Sequence, residues 1–306
     1  MHVSIPDDYP VVLATSAVFS ALAGRATLAY FDSLPSSEDA LIERIGDADA
    51  VLNIRASSSF RARVFGACPR LRLLSIWGTG TDHVDLEAAT LAGVTVTNTP
   101  GVSARSIAEH ALALLFAVAR RIPELDLATH GGKWPRGSGV QLYGKTCGVI
   151  GYGAVGRRFS ELATGIGMNV KVWTLHPDRH PGMDFAELDE IYETSDVLSV
   201  HLRLSAETAG MIGAAQFGRM KESTILINTA RAAIVDEAAL VAALAAGRIA
   251  GAGLDVFAHE PIQAGNPLLT LGNVTLTPHC AGITPEALEA GLRMAVENIW
   301  DWEEGP

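Results

Sequence analysis

Stretches rich in lysine or arginine are missing from this sequence. Acidic residues outnumber basic ones, 34 Asp and Glu against 23 Lys and Arg, for a formal charge of −11 at pH 7. Such a chain repels a polyphosphate backbone, and no basic run overrides that repulsion locally, so nucleic acid is not an expected partner. Cysteine is scarce as well. Cys68, Cys147 and Cys280 are odd in number and far apart, which argues against a disulfide framework or a zinc site and for a reducing, cytoplasmic setting. All three read as small buried hydrophobes. Long apolar runs are also lacking: none exceeds the length of residues 111–119, roughly half of the ~20 residues that span a bilayer, so no membrane segment is expected. The apolar stretch 11–23 follows Asp7 and Asp8 and no basic residues, and therefore reads as a first strand and helix, not as a signal peptide. Low-complexity tracts and short repeats do not occur.

What the sequence does hold is an ordinary globular balance, 48% hydrophobic and 19% charged over 306 residues. That length exceeds one average domain, so two are expected. Short apolar, β-branched segments alternate with helical patterns, the written form of a parallel sheet covered by helices on both faces. "VVLAT", "TLAYF", "AVLNI", "RLLSI" and "VTVTN" read as strands of a first half; "TCGVI", "VKVWT", "VLSVH", "TILIN", "AGAGL" and "NVTLT" read as strands of a second. The fold class is α/β, with two doubly wound parallel sheets in tandem. Between the halves, residues 103–123 are apolar around most of a helix circumference and predict a buried helix ended by Pro123. Residues 236–247 predict a helix stopped by Gly247, and the segment from Thr284 a closing helix with Thr284 as N-cap and Pro285 in its first turn.

"VIGYGAVGRRF", residues 149–159, carries three glycines at the spacing of a strand-to-helix turn beneath a dinucleotide. Gly151 permits the tight turn, Gly153 the close approach of backbone to a pyrophosphate, and Gly156 the packing of helix on strand. The helix N-terminus then offers N–H groups and partial positive charge to the anion. Taken alone, the motif leaves FAD enzymes, S-adenosylmethionine enzymes and plain αβ turns open. The following strand should end in a carboxylate if the adenosine ribose keeps a free 2′-hydroxyl. Thr174 stands there instead. It leaves room for a 2′-phosphate, with His176, Arg179 and His180 downstream as positive partners, so either NADP or NAD is acceptable and NADP is favoured.

Five ordered blocks, "WGTGTDHVDLEAA", "TVTNTPGVSARSIAEHALAL", "LINTARAAIVDEAALVAAL", "AGAGLDVFAHEP" and "NVTLTPHCAGIT", resemble the D-isomer-specific 2-hydroxyacid dehydrogenases over nearly the whole chain. The resemblance implies a flavodoxin-like substrate domain, residues 1–98 plus 284–306, and a Rossmann cofactor domain, residues 99–283, with the active site in a cleft. It implies catalytic roles for Arg231, Glu260 and His279. Oxidising a 2-hydroxy acid removes a hydroxyl proton and a hydride from one carbon, so a base must touch the oxygen; His279 is that base. Glu260 favours the imidazolium and fixes which nitrogen meets substrate, and Arg231 offers paired donors to the substrate carboxylate. Cofactor contacts are expected from Gly151, Gly153, Ala154, Val155, Gly156, Thr174, His201, Thr229, Ala230 and Asp255. Substrate contacts are expected from Arg55 and from an anion nest at Gly78, Thr79 and Gly80.

Asn98 and Thr99 mark a hinge or a cofactor contact, and Glu109 with His110 a buried polar pair. The resemblance implies a homodimer, with Trp134 as the expected aromatic anchor of its interface. Three positions depart from the family pattern: Arg203 replaces a proline, Ala232 a glycine, and Cys280 a bulkier apolar residue. No appended regulatory domain is expected after "EEGP". The implied function is reduction of small 2-keto acids of the glyoxylate, hydroxypyruvate or phosphohydroxypyruvate type. The alternatives are a non-catalytic, dinucleotide-sensing binding protein of the corepressor type, and an S-adenosylmethionine-dependent methyltransferase, which leaves Arg231, Glu260 and His279 unexplained.

Overall fold

The structure, a computed structural model, describes residues 1–54 and 57–305. They fall into two compact units, Met1–Ser103 with Ile283–Pro306, and Ala104–Gly282.

The first unit runs β1 (His2–Ile5), α1 (Ala17–Ala23), β2 (Thr27–Tyr30), α2 (Glu38–Ile45), β3 (Ala50–Ile54), α3 (Ala62–Ala67), β4 (Leu73–Trp77), α4 (Leu86–Leu91) and β5 (Thr95–Thr97). All five strands are parallel, in the order β2-β1-β3-β4-β5, the flavodoxin-like arrangement with its reversal at β1. β3 and β4 are buried along their whole length, which is why they read as nearly unbroken apolar runs. Their polar exceptions are satisfied: Asn53 Nδ2 donates to Asp7 Oδ2 at 2.6 Å, and Ser75 Oγ to the Ala295 carbonyl at 2.7 Å.

The first strand is not at residues 11–15 as the apolar pattern predicts. Those residues form bends and a turn, because the fully buried Asp8 carboxylate accepts the N–H groups of Val12, Leu13 and Ala14 at 2.9–3.3 Å. Donors that a ladder would need are thereby consumed, and His2–Ile5 takes the place between β2 and β3.

The second unit runs α5 (Ala104–Ala119), α6 (Ile122–His130), β6 (Thr146–Ile150), α7 (Ala154–Gly165), β7 (Asn169–Trp173), α8 (Leu188–Thr194), β8 (Val197–Val200), α9 (Ala214–Arg219), β9 (Ile225–Asn228), α10 (Glu237–Ala245), β10 (Gly251–Leu254) and β11 (Val274–Leu276). Its six parallel strands lie in the order β11-β10-β9-β8-β6-β7. Apolar clusters cover both faces of this sheet. One gathers Ile150, Leu226 and Leu254 with Phe217; the other gathers Val149, Val197 and Ile227 with Phe159 and α5. Each fully buried Leu, Ile or Phe contributes roughly 1.5–3 kcal/mol.

The predicted helix over 103–123 is instead two helices. α5 ends at Ala119, Arg121 adopts a left-handed conformation with φ 53°, and Pro123 opens α6. A proline lacks the N–H that a first turn does not use, so the residue that reads as a stop serves as a start. α6 buries none of its residues.

α11 (Pro285–Glu304) returns to the first unit, its Thr284 hydroxyl accepting the Ala287 N–H at 3.2 Å as the sequence predicts. Leu292, Ala295, Val296 and Ile299 join the cluster of Leu52, Leu73 and Trp77. Among the described residues no helix is long and apolar enough to cross a membrane.

Candidate functional site

All strands of the second unit run parallel, so their carboxyl ends share one edge of the sheet. The cofactor and catalytic candidates follow those ends: Gly151 after β6, Thr174 after β7, His201 after β8, Thr229, Ala230 and Arg231 after β9, Asp255 after β10, and His279 beyond β11. β6 lies between β7 and β8, so the glycine turn occupies the point where strand order reverses, the usual ligand position in an open parallel sheet.

The three glycines of that turn do different work. Gly151 has φ 102°, and a Cβ there would lie 2.5 Å from the His201 carbonyl oxygen; a Cβ on Gly156 would lie 1.9 Å from the Gly151 carbonyl oxygen. Both are required by the fold itself. A Cβ on Gly153 meets nothing within 4 Å, so the protein does not demand glycine there and the space before the α7 N-terminus is left open. Ala154 is exposed beside it, and Val155 packs half-buried on the core. A second sign of a missing partner is Thr229, whose buried Oγ1 lacks a hydrogen-bond partner. An open cradle at a helix N-terminus and an orphaned hydroxyl at the same sheet edge fit a dinucleotide.

His201 supports the turn from below. Its ring tilts on Phe159 with centroids 4.9 Å apart, Nε2 pairs with Ser199 Oγ at 2.8 Å, and burial pushes its pKa down to about 3. Thr174 accepts the His176 N–H at 3.4 Å. Of the downstream candidates for a 2′-phosphate, His176 and Arg179 are exposed, whereas His180 stacks edge-on with Tyr152 at 5.2 Å. Arg203 is exposed, as is its neighbour Ser205.

Arg231, Glu260 and His279 come together within this unit. His279 Nδ1 lies 2.6 Å from Glu260 Oε2, and Glu260 Oε1 accepts the Phe257 N–H at 3.0 Å. Burial pushes the Glu260 carboxyl up, but hydrogen bonds from His279 and Phe257 and the fields of His279 and Arg231 outweigh it and hold the group below its ordinary value. An ionised carboxylate only accepts, so Nδ1 carries the shared proton. His279 has φ 50°, a backbone state unusual outside glycine and concentrated at functional sites. Arg231 is shaped by a neighbour that sequence reasoning passed over. Asn228 Oδ1 accepts the Ala230 N–H at 3.0 Å and Asn228 Nδ2 donates to the Arg231 carbonyl at 3.1 Å, folding the turn "NTAR". An asparagine closing a strand was the available signal.

Several expectations change. Asp255, expected to contact the cofactor, is 1% exposed, and its carboxylate accepts from Thr277 Oγ1 (2.6 Å), the Cys280 N–H (2.9 Å) and the Ala281 N–H (2.8 Å). Glu109 and His110 are not a buried pair. Glu109 is exposed, while His110 Nε2 pairs with Thr277 Oγ1 at 2.9 Å. Cys68 and Cys147 are buried, Cys147 with its thiol pushed up to about 12 by burial, but Cys280 is only partly covered. An open hollow of about 490 Å³ beside β7, lined by Tyr152, Lys171, Phe185 and Glu190 among others, contains none of the predicted catalytic residues.

In the first unit, the Gly78 N–H is already spent on Thr99 Oγ1 at 2.9 Å, and Thr79 accepts from Asn98 Nδ2 at 2.8 Å. Gly78 therefore does not offer its N–H to an anion as expected, because Asn98 and Thr99 hold the loop; exposed Thr79 and half-buried Gly80 stay as candidates. Arg55 lies outside the described residues.

The profile described as "D-isomer specific 2-hydroxyacid dehydrogenase, NAD binding domain" matches residues 112–281. The chain belongs to the D-isomer-specific 2-hydroxyacid dehydrogenase family. It is similar to glyoxylate reductase of Korarchaeum cryptofilum, 39% identical over 284 residues that cover 90% of this chain and 85% of the relative. It is also similar to D-3-phosphoglycerate dehydrogenase of Archaeoglobus fulgidus, 40% identical over 270 residues, 86% of this chain and 51% of the relative, so it spans about half the length of that protein. Among solved structures, an acyclic imino acid reductase in complex with NADPH and D-Arg matches with a TM-score of 0.91 at 29% identity, over 99% of this chain and 97% of that one. As a D-2-hydroxyacid dehydrogenase, the chain is a nicotinamide-dinucleotide-linked oxidoreductase acting on a CH–OH group.

Proposed function

We propose that this dehydrogenase reduces small 2-keto acids of the glyoxylate, hydroxypyruvate or phosphohydroxypyruvate type to D-2-hydroxy acids, and catalyses the reverse oxidation. The observation that carries the reading is the 2.6 Å His279–Glu260 pair with Arg231 acting on the same carboxylate. Arg231 binds the substrate carboxylate through its planar donors. His279, held at Nδ1 by Glu260, gives a proton from Nε2 to the keto oxygen during reduction and takes it back during oxidation. Glu260 stays ionised and orients the ring, with its second oxygen fixed by Phe257. A bound nicotinamide supplies or accepts the hydride.

Gly153, Ala154 and the α7 N-terminus cradle the diphosphate, and the Thr229 hydroxyl takes a partner from the dinucleotide. NADP is preferred because Thr174 stands where a carboxylate would repel a 2′-phosphate, with exposed Arg179 close by in sequence; the NADPH complex of a similar fold supports this choice. The enzyme acts in the cytoplasm as a homodimer. Exposed Leu127, Trp134 and Tyr143 (76%, 77% and 73%) on and after α6, a helix with no buried residue, support the dimer.

A panel of 2-keto acids assayed with NADPH and NADH at equal low concentration, on the wild type and His279→Ala, tests the reading. Turnover of at least one acid with a preference for NADPH is expected. His279→Ala should lose turnover while binding dinucleotide nearly as before; normal activity in that variant refutes the assignment, and a strong preference for NADH refutes the cofactor choice.

A further inference from the structure

We propose that His110 on α5 is a positioning residue for His279, acting through a hydrogen-bond relay of Thr277 and Asp255. The proposal rests on the reading of His279 as the proton-transfer group.

Thr277 Oγ1 lies 2.6 Å from Asp255 Oδ1 and 2.9 Å from His110 Nε2. Thr277 Oγ1 donates its one hydroxyl proton to Asp255 Oδ1, so in its other contact it receives the Nε2 proton of His110. The direction of the relay is thereby fixed. Among the described residues, the hydrogen bonds onto Asp255 come from residues flanking His279, the hydroxyl two positions before it and the N–H groups one and two positions after it, while His110 Nε2 itself stands 3.6 Å from Asp255 Oδ1. The N–H of His279 itself donates to the Thr277 carbonyl at 3.0 Å. This clamp is needed because a left-handed backbone at a non-glycine residue costs roughly 1–2 kcal/mol, and the turn would otherwise relax and carry the imidazole with it. Within the relay, His110 alone comes from a helix, and it ties the turn to α5, whose packing on the sheet is extensive.

His110, Asp255 and Cys280 also bring an imidazole, a carboxylate and a thiol within 4.8 Å of one another. The imidazole nitrogen that a metal would need carries the proton given to Thr277, so the cluster reads as a relay.

The test compares two disrupting variants, Thr277→Val and His110→Phe, and the double variant that combines them, with two conservative ones, Thr277→Ser and His110→Gln, alongside His279→Ala. Kcat, KM, the pH profile of kcat/KM, dinucleotide affinity by fluorescence titration, and Tm are measured for each. Misplacing a reacting group by about 1 Å can cost on the order of 100-fold, so the disrupting variants should lose roughly 10- to 100-fold in kcat and shift the pH profile. Dinucleotide affinity should change less than about threefold, the conservative variants should recover most of the loss, and the double variant should be no worse than the poorer single one. Unchanged kcat and pH profile in both disrupting variants overturns the relay. So does an equal loss in Thr277→Ser and Thr277→Val, or a kcat loss matched by collapse of Tm and dinucleotide binding. Turnover surviving in His279→Ala sinks the reading of His279 itself; a dead His279→Ala beside two unaffected relay variants sinks the relay alone.

Discussion

Lowering the pH from 7 to 5 should loosen the sheet beneath the glycine turn. His201 follows β8 with its ring against Phe159 and Ser199, and burial pushes its pKa from 6.5 down to about 3. Above pH 6.5 the imidazole is neutral in both folded and unfolded chains and adds no slope. Below that pH the unfolded chain takes up a proton that the folded one refuses, so stability is lost as pH falls from about 6.5 toward 3. At pH 5, about 1.5 units below the unfolded value, the loss is about 2 kcal/mol, or roughly 30-fold in the opening equilibrium. This is an upper bound, because the residue keeps part of its surface exposed. Hydrogen exchange of peptides covering β6 and β8, corrected for intrinsic rates, reads this locally in the wild type and in His201→Gln. The wild type should lose protection between pH 7 and 5 and the variant should lose clearly less. Equal losses in the two would show that the imidazole is not the titrating group and that the burial argument is wrong.

Gly153→Ala and Gly156→Ala should separate ligand space from fold space. With nothing within 4 Å of its new methyl, Gly153→Ala should keep its Tm within a degree or two yet bind dinucleotide at least tenfold more weakly, whereas Gly156→Ala drives a methyl to 1.9 Å from a carbonyl and should lose about 1–3 kcal/mol or more in denaturant unfolding. Tight dinucleotide binding by Gly153→Ala would remove the pyrophosphate from that position. Sedimentation of the wild type should give a dimer at micromolar concentration, and Leu127→Asp with Trp134→Ser should give a monomer that stays folded by circular dichroism; a wild-type monomer would leave those exposed side chains without their proposed partner.

How much of this was legible depends on how local each cause is. The strands β6, β8, β9 and β10 read directly from the sequence because all but the first residue of β6 are buried, and burial on both faces leaves little but apolar residues. Residues 11–15 carry the same apolar signature, yet their N–H groups go to Asp8, and nothing in the pattern says that a carboxylate three residues upstream is buried. Pro123 illustrates a second limit: proline suits both the residue after a helix and the first turn of the next, and only the left-handed Arg121 decides between them. In the site, the glycine turn was legible position by position, since two of its glycines answer to steric demands of the turn itself. The His279–Glu260 pair was legible through its sequence blocks, not through any spacing that predicts a 2.6 Å approach.

His110 was harder to read. It lies four residues before buried Leu114, on the same side of α5, while Glu109 points elsewhere; helical spacing therefore argued against pairing the two neighbours and for a partner across the packed face. Asp255 marks where local reading stops. A carboxylate at a strand end serves a ligand or its own fold according to which donors arrive, and here they come from residues 22, 25 and 26 positions away. Those donors surround His279, so the carboxylate that reads as a cofactor contact in the sequence braces, in the fold, the turn that carries the proposed proton-transfer residue.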